Sequence, residues 1–208
     1  MTDPSRFVAL SPCALADVLA ARDRVMDAGI RPLFAPMPRV AGPAFPVQCA
    51  HGDNLMLHAA IYRAPPGSIV VVQSADSDFA VCGGNVCAIA QRRGIAAFVI
   101  DGVVRDLAET RERGFPVFAR GVIPIPGGKD NIGVLNGPVR CGGVEVAPGD
   151  IVVADEEGIV VVPAAREEAI FVAAQRRVAK EEAESLDVWE AAHHARVEAV
   201  LREKGFVG

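Results

Sequence analysis

Aromatic residues are only 5% of this 208-residue chain, and long apolar runs, basic clusters and paired cysteines are missing. Each absence removes a class of protein. No apolar stretch approaches the ~18 residues that cross a bilayer, so no membrane partner is expected. The opening Met1-Thr-Asp-Pro-Ser-Arg6 has no apolar segment of a secretory signal behind it, and a cytoplasmic protein is expected. A net charge of −5 without any run of Lys or Arg disfavours a nucleic-acid partner. The cysteines (Cys13, Cys49, Cys82, Cys87 and Cys141) are odd in number and scattered, with no C-x-x-C. Zinc and thioredoxin-like sites are therefore unsupported, and the thiols read as reduced, mostly buried small residues. Neither G-x-G-x-x-G nor G-x4-G-K-[ST] occurs, no S-adenosylmethionine signature is found, and no Ser-His-Asp or Cys-His set has a recognisable spacing.

What is present is a small-residue core. Half of the chain is apolar, mostly Val, Ala, Ile and Leu, which suits a sheet covered by helices at a length sufficient for one large domain or a domain with an arm. Ser11-Pro12 predicts a helix start, with Leu15, Val18, Leu19, Val25 and Met26 periodic up to Gly29. Arg31 to Gly42 reads as an extended loop, Phe45 to Cys49 as a short strand, and Asp53 as the cap of a helix to Arg63. A strand over Ser68–Gln73 and a polar loop over Ala75–Phe79 precede a helix opened by Gly83-Gly84. The run from Ile95 reads as a core strand ending in a turn at Asp101-Gly102, followed by a helix from Asp106 to Arg113 and a strand over Val117–Arg120. Gly121 to Gly137 is a long Gly/Pro-rich loop of the kind that often serves function. Short strands then form hairpins around Pro148-Gly149-Asp150 and Asp155-Glu-Glu-Gly158, and one long charged helix is predicted from Pro163 to about Lys204. This divides the chain into an α/β domain over 1–163 and a helical arm over 164–208. The arm's apolar positions, Val188, Trp189, Val197, Val200, Leu201 and Phe206, favour packing on a neighbouring subunit over a solvated surface helix.

The most informative motif is Gly84-X20-Arg105-Asp106-Leu-Ala-Glu109. Arg105 offers a planar fork of donors suited to a carboxylate or enolate oxygen. Asp106 offers hard oxygens suited to a divalent cation. Both follow a buried strand, and strand ends are where rigid elements aim side chains into loops. The bland alternative is a pair that merely caps the next helix. Gly83-Gly84 opens a helix whose N–H groups on Asn85, Val86 and Cys87 suit an anion, or else forms a plain tight turn. His58 lies on a mostly apolar face and reads as a core histidine. His51 flanks a helix start, and His193-His194 reads as surface. Glu181-Glu182-Ala-Glu184 is a solvated helix face or a group that reaches a neighbour's site.

Taken in order, these residues resemble a known family. The markers are Gly42-Pro43-Ala44, Asp53-Asn54-Leu55 with His58, Pro66-Gly67, Arg93-Gly94-Ile95, Asp101-Gly-Val-Val-Arg105-Asp106-x-x-Glu109, Pro116-Val-Phe-Ala-Arg120-Gly121, Cys141-Gly-Gly143, Pro148-Gly-Asp150 and Asp155-Glu-Glu-Gly158. They are similar to the class II pyruvate aldolases of the 4-hydroxy-4-methyl-2-oxoglutarate / 4-carboxy-4-hydroxy-2-oxoadipate type, the RraA-like family, which shares its fold with a regulator of ribonuclease activity. The resemblance implies an α/β layered swivelling domain of β/β/α type with a long C-terminal helix, assembled as a homotrimer or a dimer of trimers. It implies a metal-dependent lyase that releases pyruvate from a 4-hydroxy-2-oxo acid, with oxaloacetate decarboxylation as a further activity. A non-catalytic regulator or protein-interaction module is the alternative. The resemblance assigns the metal, Mg²⁺ or Mn²⁺, to Asp106 and the enolate of the small 2-oxo acid to Arg105. It assigns the substrate carboxylate to the backbone at Gly84, Asn85 and Val86, and a neighbour's catalytic carboxylate to Glu181, with Glu182 next. Gly84 departs from the aldolase pattern, which usually has Asp or Glu there; Asp76 or Asp78 in the preceding loop is the candidate substitute.

Overall fold

The computed structural model describes residues 3–20 and 22–206, with Ala75 as backbone only; Met1 and Thr2 of the opening segment lie outside the described residues. Nine strands and six α-helices are described: α1 (Pro12–Leu19), β1 (Arg31–Pro32), β2 (Val40–Gln48), α2 (Leu55–Arg63), β3 (Ile69–Asp76), α3 (Gly84–Arg92), β4 (Ala97–Val104), α4 (Leu107–Arg113), β5 (Val117–Val122), β6 (Val139–Cys141), β7 (Val144–Val146), β8 (Ile151–Asp155), β9 (Gly158–Val162), α5 (Glu167–Ala183) and α6 (Leu186–Glu203). Seven strands form one sheet in the order β1-β5-β4-β3-β2-β8-β9, and β6-β7 form a separate hairpin.

β2 explains how a parallel half and an antiparallel half share this sheet. Its residues 40–43 pair antiparallel with β8, and residues 44–48 pair parallel with β3. β3, β4 and β5 continue in parallel through the connections that carry α3 and α4. Parallel strands covered on both faces read as nearly unbroken apolar runs, which is why Ile69–Val72 and Ala97–Ile100 are all fully buried. On one face, Leu57, Ala60 and Ile61 of α2 and Cys87 and Ala90 of α3 pack against Val70, Val72, Phe98 and Ile100. On the other, Val139, Cys141, Val144 and Val146 of the hairpin pack against Val71, Val99 and Phe118. The layers are therefore hairpin, main sheet and helices, the β/β/α arrangement. A third cluster joins Phe7, Leu15 and Leu19 to β8, β9 and the first half of α5 through Ile170, Phe171 and Ala174.

Several boundaries differ from the sequence reading, each for an identifiable reason. The first helix stops at Leu19 because Ala20 turns left-handed (φ 49°); Val25 instead bridges to Val160. β2 starts at Val40, inside the segment read as a loop, because β8 supplies a partner for it. β3 runs on to Asp76, and β4 passes through Asp101-Gly102 to Val104, both across register irregularities. Asp101 stays in the strand, accepting from Arg120 and from the Gly142 N–H. β5 likewise extends to Val122, so the Gly/Pro-rich loop spans 123–138. Asn54, not Asp53, is the N-cap of α2. The single long C-terminal helix is two: the chain breaks at Glu184-Ser185, where the Ser185 hydroxyl accepts from the Val188 N–H and starts α6. The first half of α5 belongs to the domain's own core, whereas α6 buries no residue, leaving Leu186, Val188 and Trp189 exposed.

Phe98 is fully buried on β4 and meets Phe115 edge-on at 4.9 Å between centroids. Phe98→Ala is expected to cost ~3–5 kcal/mol of stability in urea denaturation, since the sheet-helix interface cannot close over the hole.

Candidate active site

The site forms where β4 ends and α3 begins. Backbone bonds from Val81 N–H to Val103 O (3.0 Å) and from Arg105 N–H to Cys82 O (2.9 Å) zip the segment before α3 to the end of β4. Gly83 caps α3 with extended backbone and no side-chain cap, so the N–H groups of the first turn have no partner within the helix. The Cys87 N–H is not among them, contrary to the sequence reading, because it bonds to Gly83 O at 3.1 Å. The Gly84 N–H is taken by Asp106 Oδ2 at 3.0 Å. The N–H groups of Asn85 and Val86 remain, and both residues line a cavity of about 120 Å³.

Arg105 and Asp106 line the same cavity. Asp106 stands in the left-handed region (φ 57°), a conformation that Asp tolerates better than most residues, and this turns the chain from β4 into α4. Its Oδ2 serves both the Gly84 N–H and Arg105 Nε, 3.4 Å away, while Oδ1 has no hydrogen-bond partner among the described residues. The two glycines make room for this. A β-carbon at position 83 would run into Asp106 Oδ2 and lie 3.0 Å from Arg105 Cγ. At position 84 it would run into Glu109 Oε2, because the Glu109 carboxylate fills the space that a side chain there would occupy. Glu109 is in the first turn of α4, where the helix N-terminus favours an anion.

Asp76 and Asp78, the candidate substitutes, do not line this cavity. Asp76 is buried and its carboxylate accepts from the N–H groups of Gly52, Asp78 and Phe79. Burial opposes its charge, yet these bonds, with His51 beside it, hold its carboxyl below the usual range. With His51 and Asp78 it forms a set whose ligand atoms all lie within 4.8 Å of one another. This set does not include Asp106, and its residues do not line the cavity.

The 123–138 loop roofs the site. Gly127 N–H bonds to Ala80 O, Gly128 N–H to Gly52 O, and buried Asp53 accepts from the N–H groups of Asp130 and Asn131 through Oδ2. This presents Lys129 to the cavity, beside Asn54 and His58 of α2. His58 is half-buried, and burial followed by the charge of Lys129 pushes its pKa down to about 4, so the imidazole is neutral at pH 7. Reading His58 as a core histidine missed its place on the cavity wall. Asn54 and Lys129 were not singled out as site residues. The i,i+4 spacing of Asn54 and His58 on one helix face was the available signal.

Within one chain, the fold thus gathers Asn85, Val86, Arg105 and Asp106, with Gly84 holding Asp106. Glu181 lies elsewhere, exposed on α5, paired with Arg177 at 2.9 Å and facing a different cleft with Trp189 and His193.

Comparison with known proteins follows this geometry. Residues 12–161 match the model of the RraA-like family, described as Aldolase/RraA. The chain belongs to the RraA-like family. It is 40% identical, over 70% of its length and 70% of the other's, to a Halalkalibacterium halodurans protein named "Putative 4-hydroxy-4-methyl-2-oxoglutarate aldolase". Its fold matches Streptomyces coelicolor RraAS2, titled an unusual member of the RNase ES inhibitor RraA family, at a TM-score of 0.74 and 28% identity over 93% of this chain and 97% of that one. It also matches the RNA-processing inhibitor RraA from Thermus thermophilis at a TM-score of 0.67 and 26% identity, over 74% of this chain and 92% of that one. Among the described residues, no helix of this RraA-like protein is long and apolar enough to cross a membrane.

The two glycines are expected to differ on mutation. Gly83→Ala drives Asp106, held on a short side chain, off the Gly84 N–H. Gly84→Ala chiefly displaces the flexible end of Glu109, whose Cβ lies 3.1 Å from the added carbon. Thermal unfolding should therefore show a clearly larger loss for Gly83→Ala, on the order of 2 kcal/mol for overpacking plus the broken bond, than for Gly84→Ala.

Proposed function

We propose that this protein is a divalent-metal-dependent carbon–carbon lyase that cleaves a 4-hydroxy-2-oxo acid to pyruvate and also decarboxylates oxaloacetate. The observation that carries this reading is the Arg105–Asp106 pair sharing one cavity with the open N-terminus of α3. The name of the 40%-identical relative supports it.

The residues fit a hydrated Mg²⁺ or Mn²⁺. Asp106 Oδ1 has no protein partner among the described residues, and the Glu109 carboxylate beside Gly84 adds a second hard-oxygen group nearby. A site with so few protein oxygens suits a cation that keeps several of its waters. When bound, the metal supplies Lewis-acid stabilisation of charge developing on the substrate's keto oxygen. The chain's own groups supply the rest. The N–H groups of Asn85 and Val86 hold the substrate carboxylate at the positive end of α3. The Arg105 fork meets the oxygen on which negative charge grows. In cleavage the C4 hydroxyl gives up its proton, the C3–C4 bond breaks to leave a carbonyl fragment and the pyruvate enolate, and C3 then takes a proton. Decarboxylating oxaloacetate passes through the same enolate, with CO₂ leaving in place of the carbonyl fragment.

The second reading is a non-catalytic regulator, favoured by Gly84 and by the likeness to the RNA-processing inhibitor. Glu109 beside Gly84 weakens its main support, since an acid stands there after all.

With Mg²⁺ or Mn²⁺, purified protein is expected to release pyruvate from oxaloacetate and from 4-hydroxy-2-oxo diacids, and EDTA should abolish this. Asp106→Asn and Arg105→Lys should each lower kcat/KM by on the order of 10²-fold or more in a coupled pyruvate assay, because a point charge does not reproduce the guanidinium fork. Wild-type turnover in both variants would place the site elsewhere, full activity after metal stripping would overturn the metal dependence, and no pyruvate release from any of these substrates would leave the regulator.

The proposal extends to the assembly: a homotrimer or dimer of trimers in which α5 or α6 of a neighbour brings Glu181, or Glu182, to the cavity. The exposed apolar residues of α6, which buries nothing on its own chain, support this. Light scattering should give a multiple of three chains. Mixing inactive Asp106→Ala and Glu181→Ala proteins should restore partial activity once subunits exchange; no recovery after verified exchange takes Glu181 out of the site.

A further inference from the structure

Two buried thiols at the start of α3, Cys82 and Cys87, take no part in the chemistry above. Their places in the chain bring them together. Gly83 is the N-cap of α3, so Cys82 is the residue before the cap and Cys87 the fourth residue of the helix. Side chains at these two places pack against each other across the first turn, where an apolar pair often staples the entering chain. Here both are cysteines, and their thiols are hydrogen-bond partners of each other. The backbone around them is held. The Cys87 N–H bonds to Gly83 O at 3.1 Å, and Cys82 O accepts from the Arg105 N–H at 2.9 Å. The two thiols differ in access. Cys82 lines the cavity, whereas Cys87 does not and packs in the core beneath α3. A cavity of about 120 Å³ admits a molecule the size of water or hydrogen peroxide to the Cys82 sulfur and excludes a bulky oxidant such as glutathione disulfide.

We propose that Cys82 and Cys87 form a peroxide-sensitive dithiol: hydrogen peroxide in the cavity oxidises Cys82, Cys87 closes a disulfide onto it, and the new bond reshapes the first turn of α3. In the first step Cys82 Sγ attacks one peroxide oxygen and the O–O bond breaks. The thiol proton leaves with the other oxygen as water, and Cys82 becomes a sulfenic acid. In the second step Cys87 Sγ attacks Cys82 Sγ, the S–O bond breaks, and the hydroxyl leaves with the Cys87 proton as a second water. Two thiols and one peroxide thus give one disulfide and two waters, and the thiols lose the two electrons that the peroxide gains. A second sulfur already in contact intercepts the sulfenic acid before it oxidises further, as a resolving cysteine does in redox-sensing pairs. Disulfide geometry is narrow, so bond formation draws the two sulfurs from contact to covalent distance and moves the backbone that carries them. That movement falls on the turn over 83–86 and on the Arg105 N–H that Cys82 O holds. The oxidation is independent of the lyase reading, so each stands or falls on its own measurement.

Mass spectrometry of the folded wild-type chain tests this directly. Trypsin leaves both cysteines in one peptide, 64–92, and Cys49 in another, 40–63. After treatment with hydrogen peroxide and alkylation without reduction, peptide 64–92 should be two hydrogens lighter and carry no alkyl group. Dithiothreitol should restore both alkylation sites, and glutathione disulfide in place of peroxide should leave the peptide untouched. Cys87→Ser should instead collect oxygen on Cys82, whereas in Cys82→Ser the Cys87 thiol should survive, because it does not line the cavity. Full alkylation of peptide 64–92 at a peroxide level that oxidises the exposed Cys13 overturns the pair. A cross-link between 40–63 and 64–92 overturns the choice of Cys87 as the partner. Amide hydrogen exchange over 83–87 should differ on the order of tenfold between the reduced and the disulfide form. Identical exchange in the two forms overturns the reshaping of the turn.

Discussion

The bond from the Gly84 N–H to Asp106 Oδ2 is the interaction on which the site depends. It joins the first turn of α3 to the corner between β4 and α4, two elements 22 residues apart in sequence. It exists only because Gly83 presents no side chain to Asp106 and Arg105, and because Asp106 accepts a left-handed backbone. A charge-assisted bond at the positive end of a helix is strong for its type, and it removes one N–H of the first turn from competition for a ligand. It also directs one carboxylate oxygen inward to the backbone, leaving the other free for a second partner. The same contact thus shapes the helix terminus, orients the arginine and leaves a hard oxygen beside the cavity.

A second tie has the same logic. Asp53 is buried, and its carboxylate accepts from the Leu55, Asp130 and Asn131 N–H groups, so one side chain fastens the start of α2 to the long loop. Burial opposes its charge, but those N–H groups hold its carboxyl below the usual range. With the Gly127 N–H to Ala80 O and Gly128 N–H to Gly52 O bonds, that fastening holds a Gly/Pro-rich segment in one shape. With it, a surface lysine becomes part of a cavity wall. The sheet beneath supplies the stiffness, since the fully buried parallel strands leave little room for the strand ends to shift.

The absence of an acid at position 84 acquires a different meaning in three dimensions. Read along the chain, Gly84 removes a carboxylate from the expected pattern, and the nearby Asp76 and Asp78 are the natural replacements. In space, Asp76 is committed to the turn that it organises, while Glu109, 25 residues downstream, fills the vacancy from another helix. Proximity in sequence was a poor guide because a parallel sheet sets the ends of successive strands and the starts of successive helices side by side.

The sequence by itself determined a good deal. Apolar runs such as Ile69–Val72 have to be buried strands, Ser11-Pro12 and Gly83-Gly84 open helices, and the adjacent cation and anion at 105–106 mark the end of a core strand; all of these are local consequences of side-chain chemistry and backbone preference. The order of the turn motifs was enough to identify the RraA-like family. Tertiary structure decided the rest. It kept Asp101-Gly102 inside a strand, because Arg120 and the Gly142 N–H satisfy Asp101 there. It drew the first half of α5, but not α6, into the core. It also put Asn54, His58 and Lys129 on one cavity with Arg105 and Asp106. These outcomes rest on contacts between residues tens of positions apart, and local pattern carries no information about which distant partner a group will find.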